Sequence, residues 1–470
     1  MSSLPAGVAA GHPSTAAVGL TVLSAGGSAA DAAAAMVLAG CAAETLFTGL
    51  GGGGFATVFE ASTGTVHGLD FFVAVPGLDG TLPGPSHDIA VAFGGVSVPY
   101  AIGGPSVAVP GTPLGVAELH RRFGRLDWAE IVRPARDLAE AGAAFPQQHA
   151  DLLPDVAAAM VIGAGVGVYT RPDGVGGRRH LQGGELLLHE GLADTMDDLL
   201  HEGPEVLTTG RRGRALVDAV RADGGAMSPD DMAAYRVADL TLRTVPFGPA
   251  EVRVRGNDLD AFADTLLALD VDAVRAGGVP RALALVDALR APTRRSETTS
   301  LVAVDPDGNA CAVTHSLGLG SGVWTGGVHG NSMLGEGELL RGILVPGDRM
   351  PSMMVPHVVT DAVSGGLLAA GGAAGGSRIR SSLLQVLAGM LLEQRGTAAS
   401  VAAPRLAAAP GLVHLEPGFG PGVAATLSAR GEQVLEWPGQ RPFFGGVAMI
   451  GRDGAAADPR RGGTALLLAD

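Results

Sequence analysis

The 470-residue sequence contains no lysine; all 32 of its basic residues are arginine. Without a lysine amine there is no Schiff-base chemistry, no lysine nucleophile and no phosphate-binding Walker loop. Codon bias in a GC-rich genome accounts for the absence itself. Cysteine is nearly as scarce. Cys41 and Cys311 form no C-x-x-C pair and no metal-ligand spacing, and each sits in an apolar stretch, so both read as buried reduced thiols. Only 17% of residues are charged, and the net charge is −15. That sign argues against a nucleic-acid partner or an anionic membrane. The N-terminal residues carry neither a basic n-region nor a long apolar h-region. The longest apolar stretch, 32–43, is too short to span a bilayer. The expectation is a cytoplasmic protein.

Hydrophobic residues make up 47% of the chain, enough for one large core or two that share an interface. The positive mean hydropathy argues against disorder. The 73 glycines cluster, as in Gly51-Gly52-Gly53-Gly54, and mark turns and close backbone approach. Residues 14–25 and 28–43 read as alanine-rich helices. FATVFEA and TVHGLDFFVAV, joined by Ser62-Thr63-Gly64, read as a hairpin. VPGTPLGVAELHRRF starts a helix after a Pro-Gly turn, and helical periods follow at 127–141, 190–202 and 211–222, with an N-cap at Ser228. Residues 239–255 alternate as strands, and 259–290 read as helical. Further strands are expected at 342–345, 355–360 and 367–370, and a helix near 377–394. A closing strand pair is expected at 445–451 and 464–469. Strands and helices come in blocks, which favours α+β layers over a Rossmann alternation.

The segment 291–297, APTRRSE, is polar and contains proline, as an exposed linker does. Directly behind it, TTSLVAV and NACAVTHS flank the turn Asp305-Pro306-Asp307-Gly308-Asn309. Thr298 therefore opens a strand at the end of a linker. By residue type alone Thr298 is an ordinary β-branched strand residue. At the N-terminus of a cut chain, however, a threonine's α-amino group, with a reference pKa of about 7.7–8.0, can take the proton of its own hydroxyl.

Six segments together carry a resemblance: GHPSTAAVGLTVLSAGGSAADAA, TGLGGGGFATVFEASTG, VPGTPLGVAELHRRFGRL, TTSLVAVDPDGNACAVT, GNSMLGEGEL and GGAAGGSRIRSSLLQVL. In this order and spacing the chain resembles the gamma-glutamyltranspeptidase (glutathione hydrolase) family of N-terminal-nucleophile hydrolases. The resemblance implies an α+β four-layer αββα sandwich. It implies a precursor that cleaves itself between Glu297 and Thr298 into a large portion, 1–297, and a small one, 298–470, intertwined in one domain. Thr298 would be the nucleophile, and Ser316 the hydroxyl that polarises its amine. Gly375 and Gly376 would form the oxyanion hole. Thr299 would support the nucleophile's hydrogen bonds. Asn331 and Glu336 would hold the substrate's α-ammonium, and Ser352 its α-carboxylate. No metal or organic cofactor is implied.

The sequence also departs from the family pattern. Phe72 stands where an arginine pairs with the glutamyl α-carboxylate, so that recognition should weaken unless another arginine substitutes. Met353 replaces a second carboxylate-holding serine, Ser300 a histidine, and Gly318 a substrate-holding asparagine. RGNDLDAFAD, 255–264, stands where the family has a Pro-Ser-Ser-Gly-Gly loop. Three readings follow. One is a γ-glutamyl hydrolase or transferase acting on glutathione-like compounds. Another is an acylase whose substrate lacks a free α-carboxylate. The last is an unprocessed, non-catalytic member that binds a ligand or partner.

Overall fold

The computed structural model describes residues 4–93, 96–290, 298–337, 339–340, 343–376 and 378–469. The segment 291–297, read above as a linker ending in Glu297, lies outside the described residues.

Two sheets lie face to face between layers of helices. One has seven strands, in the spatial order Ala238–Asp239, Thr65–Phe71, Gly53–Glu60, Ala310–Ser316, Thr299–Val304, Gly7–Ala10 and Thr464–Leu467. The other has six: Leu242–Phe247, Ala250–Arg255, His357–Asp361, Leu367–Ala374, Gly446–Gly451 and Gly454–Ala457. Segments from before and after Thr298 contribute to both sheets, and in the seven-stranded one they interleave. The two-residue alternation of the central hairpin explains the layering. Leu301, Ala303, Cys311 and Val313 pack against the helices. Val302, Val304, Ala310 and Ala312 face Val358, Ala370, Ala448 and Ile450 of the second sheet.

The helix Ala29–Ala43 is buried along its whole length, as a helix apolar on all sides must be. Ser28 and Asp31 cap it reciprocally, with Asp31 N–H donating to Ser28 Oγ at 3.1 Å and Ser28 N–H to Asp31 Oδ2 at 3.0 Å. It lies on the strands Thr299–Val304 and Ala310–Ser316 beside the helices Pro13–Ser24, Thr112–Phe123 and Trp128–Ala141. The helices Phe262–Leu267, Gly278–Leu289 and Arg378–Leu387 cover the outer face of the six-stranded sheet. The order helix, sheet, sheet, helix is the four-layer αββα sandwich expected of an α+β chain.

The expected hairpin is present, its strands running Gly53–Glu60 and Thr65–Phe71. Elsewhere the structure corrects the sequence reading. The stretch 259–290 is three helices, Phe262–Leu267, Val271–Ala276 and Gly278–Leu289. Asp270 caps the second, and Gly277, at φ +73°, separates it from the third. No strand forms at 343–345. The strands Gly446–Gly451 and Thr464–Leu467 do not pair with each other. The first joins Leu367–Ala374 and Gly454–Ala457, the second joins Gly7–Ala10 in the other sheet. The hairpin His87–Phe93 with Val96–Ile102 and the helix Gln147–Met160 had no expectation at all.

Candidate active site

Thr298 immediately precedes the strand Thr299–Val304 and is 1% exposed. Its Oγ1 accepts a hydrogen bond from Gly375 N–H at 2.9 Å. Gly375 and Gly376 form the turn from the strand Leu367–Ala374 into the helix Arg378–Leu387. Their φ angles, +112° and +53°, lie where L-residues with side chains rarely go. A Cβ on Gly375 would stand 2.9 Å from Gly445 Cα. The turn brings bare backbone N–H to the positive end of a helix dipole, an arrangement suited to negative charge.

The antiparallel register pairs Thr299 with His315. Ser316 is the next residue of that neighbouring strand, one step past the last paired position. Ser316 is fully buried, and its Oγ accepts from Gly318 N–H at 3.0 Å. Thr298 and Gly375 thus meet at the ends of two strands from different sheets, and Ser316 ends the strand beside that of Thr299.

A second set of groups lies beside Thr298 that sequence reasoning missed. Thr299 Oγ1 donates to Glu44 Oε2, and Thr15 Oγ1 donates to Glu44 Oε1 at 2.8 Å. Glu44 caps the C-terminus of the helix Ala29–Ala43 and is 1% exposed. Burial pushes its carboxyl pKa up, while Thr299, His12, Thr15 and Arg461 pull the other way. Glu44, Arg461, Phe47, Gly11 and Asp458 line a small cavity together with Thr298 and Thr299. The signal that could have found Glu44 was its place in GCAAETLF, a lone carboxylate in an otherwise apolar run.

The other expected substrate residues are placed as follows. Asn331 is fully buried and makes its hydrogen bonds with backbone. Nδ2 donates to Gly51 O at 2.8 Å and Ala108 O at 2.7 Å, and Oδ1 accepts from Ala108 N–H at 3.0 Å and Met333 N–H at 3.2 Å. Those bonds fill both donors and both acceptor sites of the amide. Glu336 is 2% exposed, and its Oε1 accepts from the Tyr100 hydroxyl at 2.9 Å. Tyr100 also meets Ser332 Oγ at 2.7 Å. Ser352 is buried, and its Oγ accepts from Met354 N–H at 3.2 Å. Phe72 is buried against Phe55, their ring centroids 5.3 Å apart.

The gamma-glutamyltranspeptidase family model matches residues 15–251 and 273–468. The chain belongs to the gamma-glutamyltranspeptidase family. It is accordingly an enzyme of the N-terminal-nucleophile hydrolase and transferase type. It is 28% identical to the acylase ACY 1 proenzyme of Pseudomonas sp. (strain V22), over 92% of this chain and 87% of that protein. It is 27% identical to the glutathione hydrolase 5 proenzyme of Rattus norvegicus, over 95% of this chain and 90% of that protein. Among solved structures, the cephalosporin acylase from Bacillus halodurans superposes with a TM-score of 0.76 at 22% identity. That match covers 99% of this chain and 96% of the other.

Two departures from the gamma-glutamyltranspeptidase pattern have a steric reason here. Ser300 points between the sheets, its Oγ 3.2 Å from Thr314 Oγ1. A Cβ on Gly372 of the facing sheet would stand 2.4 Å from Ser300 Oγ, so the sheets meet too closely for a histidine at 300. Gly318, at φ +68°, abuts the Tyr100 hydroxyl, Glu336 Oε1 and Ser332 Oγ, which a Cβ would approach to 2.7–2.9 Å. The Tyr100 hydroxyl occupies the space a longer side chain at 318 would need.

Proposed function

We propose that this member of the gamma-glutamyltranspeptidase family is a self-processing threonine acylase: it hydrolyses or transfers acyl groups from amides through Thr298. The observation that carries this reading is the hydrogen bond from Gly375 N–H to Thr298 Oγ1. In the precursor, Thr298 Oγ attacks the carbonyl carbon of Glu297. The C–N bond breaks as the acyl group shifts to oxygen, and water then hydrolyses the ester. The liberated amine of Thr298 accepts the hydroxyl proton during attack on a substrate amide and returns it to the leaving amine. Gly375 N–H, already beside the attacking oxygen, sits next to where the tetrahedral oxyanion develops. Water or an acceptor amine then releases the acyl group.

An acylase fits the substrate side better than a glutathione hydrolase does. Of the groups expected to hold an α-ammonium, the Asn331 amide is engaged by backbone, and Glu336 accepts from Tyr100 through Oε1. The Pseudomonas relative is itself an acylase proenzyme, which supports the same reading. The γ-glutamyl reading keeps one specific support: Glu336 and Ser352 are both present and buried.

A denaturing gel tests processing. Two bands that meet at the 297/298 boundary are expected, and Thr298→Ala should leave one full-length band. A wild-type chain that stays whole on incubation would overturn self-processing. Comparing γ-glutamyl p-nitroanilide with simple acyl p-nitroanilides tests the substrate. Release from the γ-glutamyl compound alone would restore the glutathione-hydrolase reading.

A further inference from the structure

Thr298 can attack the peptide bond before it only if some group takes its hydroxyl proton. In the processed enzyme the freed α-amine does this. In the precursor that nitrogen is an amide, its lone pair delocalised into the peptide bond. Self-cleavage therefore needs a different proton acceptor.

Glu44 has the position for it. Strand alternation turns Thr299 towards the helix layer with Leu301 and Ala303, and Thr298 towards the other sheet, where Gly375 lies. Glu44 stands on the helix side, holding the Thr299 and Thr15 hydroxyls. One cavity reaches both: its lining runs from Glu44 and Gly11 to Thr298, Ala374 and Gly446. Its volume, about 20 Å³, is room for a water. Gly11 keeps the carboxylate's place open, since a Cβ there would stand 2.2 Å from Glu44 Oε2.

The other titratable groups around Glu44 are occupied or too weakly basic. His12 Nδ1 accepts from Ser14 N–H at 3.0 Å, which leaves Nε2 to donate to Ala144 O at 2.9 Å. Asp458 is tied to Arg405 at 2.6 Å and to Arg460 at 3.2 Å, and accepts from Val447 N–H. Burial lowers the pKa of His149, edge-on to Phe47, to about 3, and it keeps Cys41, on the helix that Glu44 caps, a thiol. Arg461, 5.0 Å over the Phe47 ring, is a cation. Burial makes Glu44 a stronger base than an ordinary glutamate, while Thr299, His12, Thr15 and Arg461 favour its charged form.

We infer that Glu44 takes up the Thr298 hydroxyl proton during self-cleavage, through a water in this cavity. The inference rests on the self-processing reading and supplies its missing base. As Thr298 Oγ bonds to the carbonyl carbon of Glu297, its proton passes to the water, and a water proton passes to Glu44. When the C–N bond breaks, Glu44 returns that proton by the same route to the leaving nitrogen of Thr298. Water then hydrolyses the ester, which restores the hydroxyl and leaves a carboxyl on Glu297. The new amine serves every later turnover, so this transfer occurs once per chain.

Cell-free synthesis of the full chain, stopped with a translation inhibitor, gives precursor whose cleavage is followed on denaturing gels. Glu44→Gln should slow cleavage by about 10²–10⁴, the range for loss of a general base, and Glu44→Asp should recover part of the rate. The wild-type rate should fall on acidification already above pH 4.5, the ordinary glutamate value, and the residual cleavage of Glu44→Gln should lack that limb. A Glu44→Gln chain that cuts at the wild-type rate would overturn the inference while self-processing stood. So would a slowed chain that keeps the wild-type pH profile, because Glu44 would then only hold the two threonine hydroxyls. If Glu44→Gln does not fold, Arg461→Gln takes its place. Removing a cation that stabilises the Glu44 charge should move the acid limb to higher pH, and an unmoved limb would overturn the inference. A wild-type chain that stays whole fails one step earlier, at self-processing itself, and takes the inference with it.

Discussion

Around Thr298 the decisive features are a backbone N–H and a buried acid. Gly375→Ala forces a side chain into φ +112° and towards Gly445 Cα. Strain of about 1–3 kcal/mol is expected. Because relief of that strain would turn the N–H away from Thr298, kcat should fall by roughly 10²–10³. Steady-state kinetics on folded, processed enzyme checks this, and unchanged kcat would exclude Gly375 from the oxyanion hole. Glu44→Leu removes the acceptor of both the Thr15 and Thr299 hydroxyls. A loss of about 1–3 kcal/mol for each stranded hydroxyl is expected, with slower processing on a time-course gel. Glu44→Gln, which keeps one acceptor oxygen, should lie between. Thr298, Ser316 and the glycine pair could be named as candidates from the sequence because the proposed chemistry needs those residue types at fixed points of the motif. Glu44 was not, because a buried carboxylate becomes meaningful only once Thr15 and Thr299 arrive from distant strands and helices. Asn331 and Glu336 were named from the motif; only the fold shows that backbone holds the Asn331 amide and that Tyr100 donates to Glu336 Oε1.

The elements most readable in the sequence were those with local signals. The helix Ala29–Ala43 begins at a Ser-x-x-Asp cap, and the hairpin Gly53–Glu60 to Thr65–Phe71 has a glycine turn. The elements misread depend on distant partners. Gly446–Gly451 and Thr464–Leu467 look like a closing hairpin, yet each finds its neighbour in a different sheet. The capped helix also carries a prediction. Asp31 accepts from the N–H groups of Ser28, Arg125 and Leu126 and pairs with His120 Nδ1 at 3.0 Å, so one carboxylate ties the helix start to the loop after Phe123. Burial opposes its ionisation, but these bonds hold its pKa below the usual range. Asp31→Ala leaves several buried donors unanswered and should cost about 3 kcal/mol or more. The urea midpoint measures it; a change under about 0.5 kcal/mol, the size of ordinary surface substitutions, would show that the cap does not hold this helix.

At the scale of the whole molecule, the sandwich buries histidines in neutral form. Burial lowers the pKa of His149, His315 and His329 to about 3, and that of His189 and His357 to about 4, from an ordinary value of 6.5. Between pH 4 and 6.5 the unfolded chain binds protons at these rings that the native chain does not, so stability rises with pH across that window. Their contribution is complete above pH 6.5 and is lost as the pH falls towards the native values. Glu44, Asp70 and Asp258, held above the usual carboxylate range by burial, act in the opposite sense and offset part of it. Histidine ring resonances report the sites one by one. The five buried rings should keep their neutral chemical shifts from pH 7.5 to 5 in the folded protein, while the urea midpoint declines over the same range. Rings that titrate near 6.5 without loss of native signal would show that water reaches them, and the acid sensitivity would then have to come from the carboxylates alone.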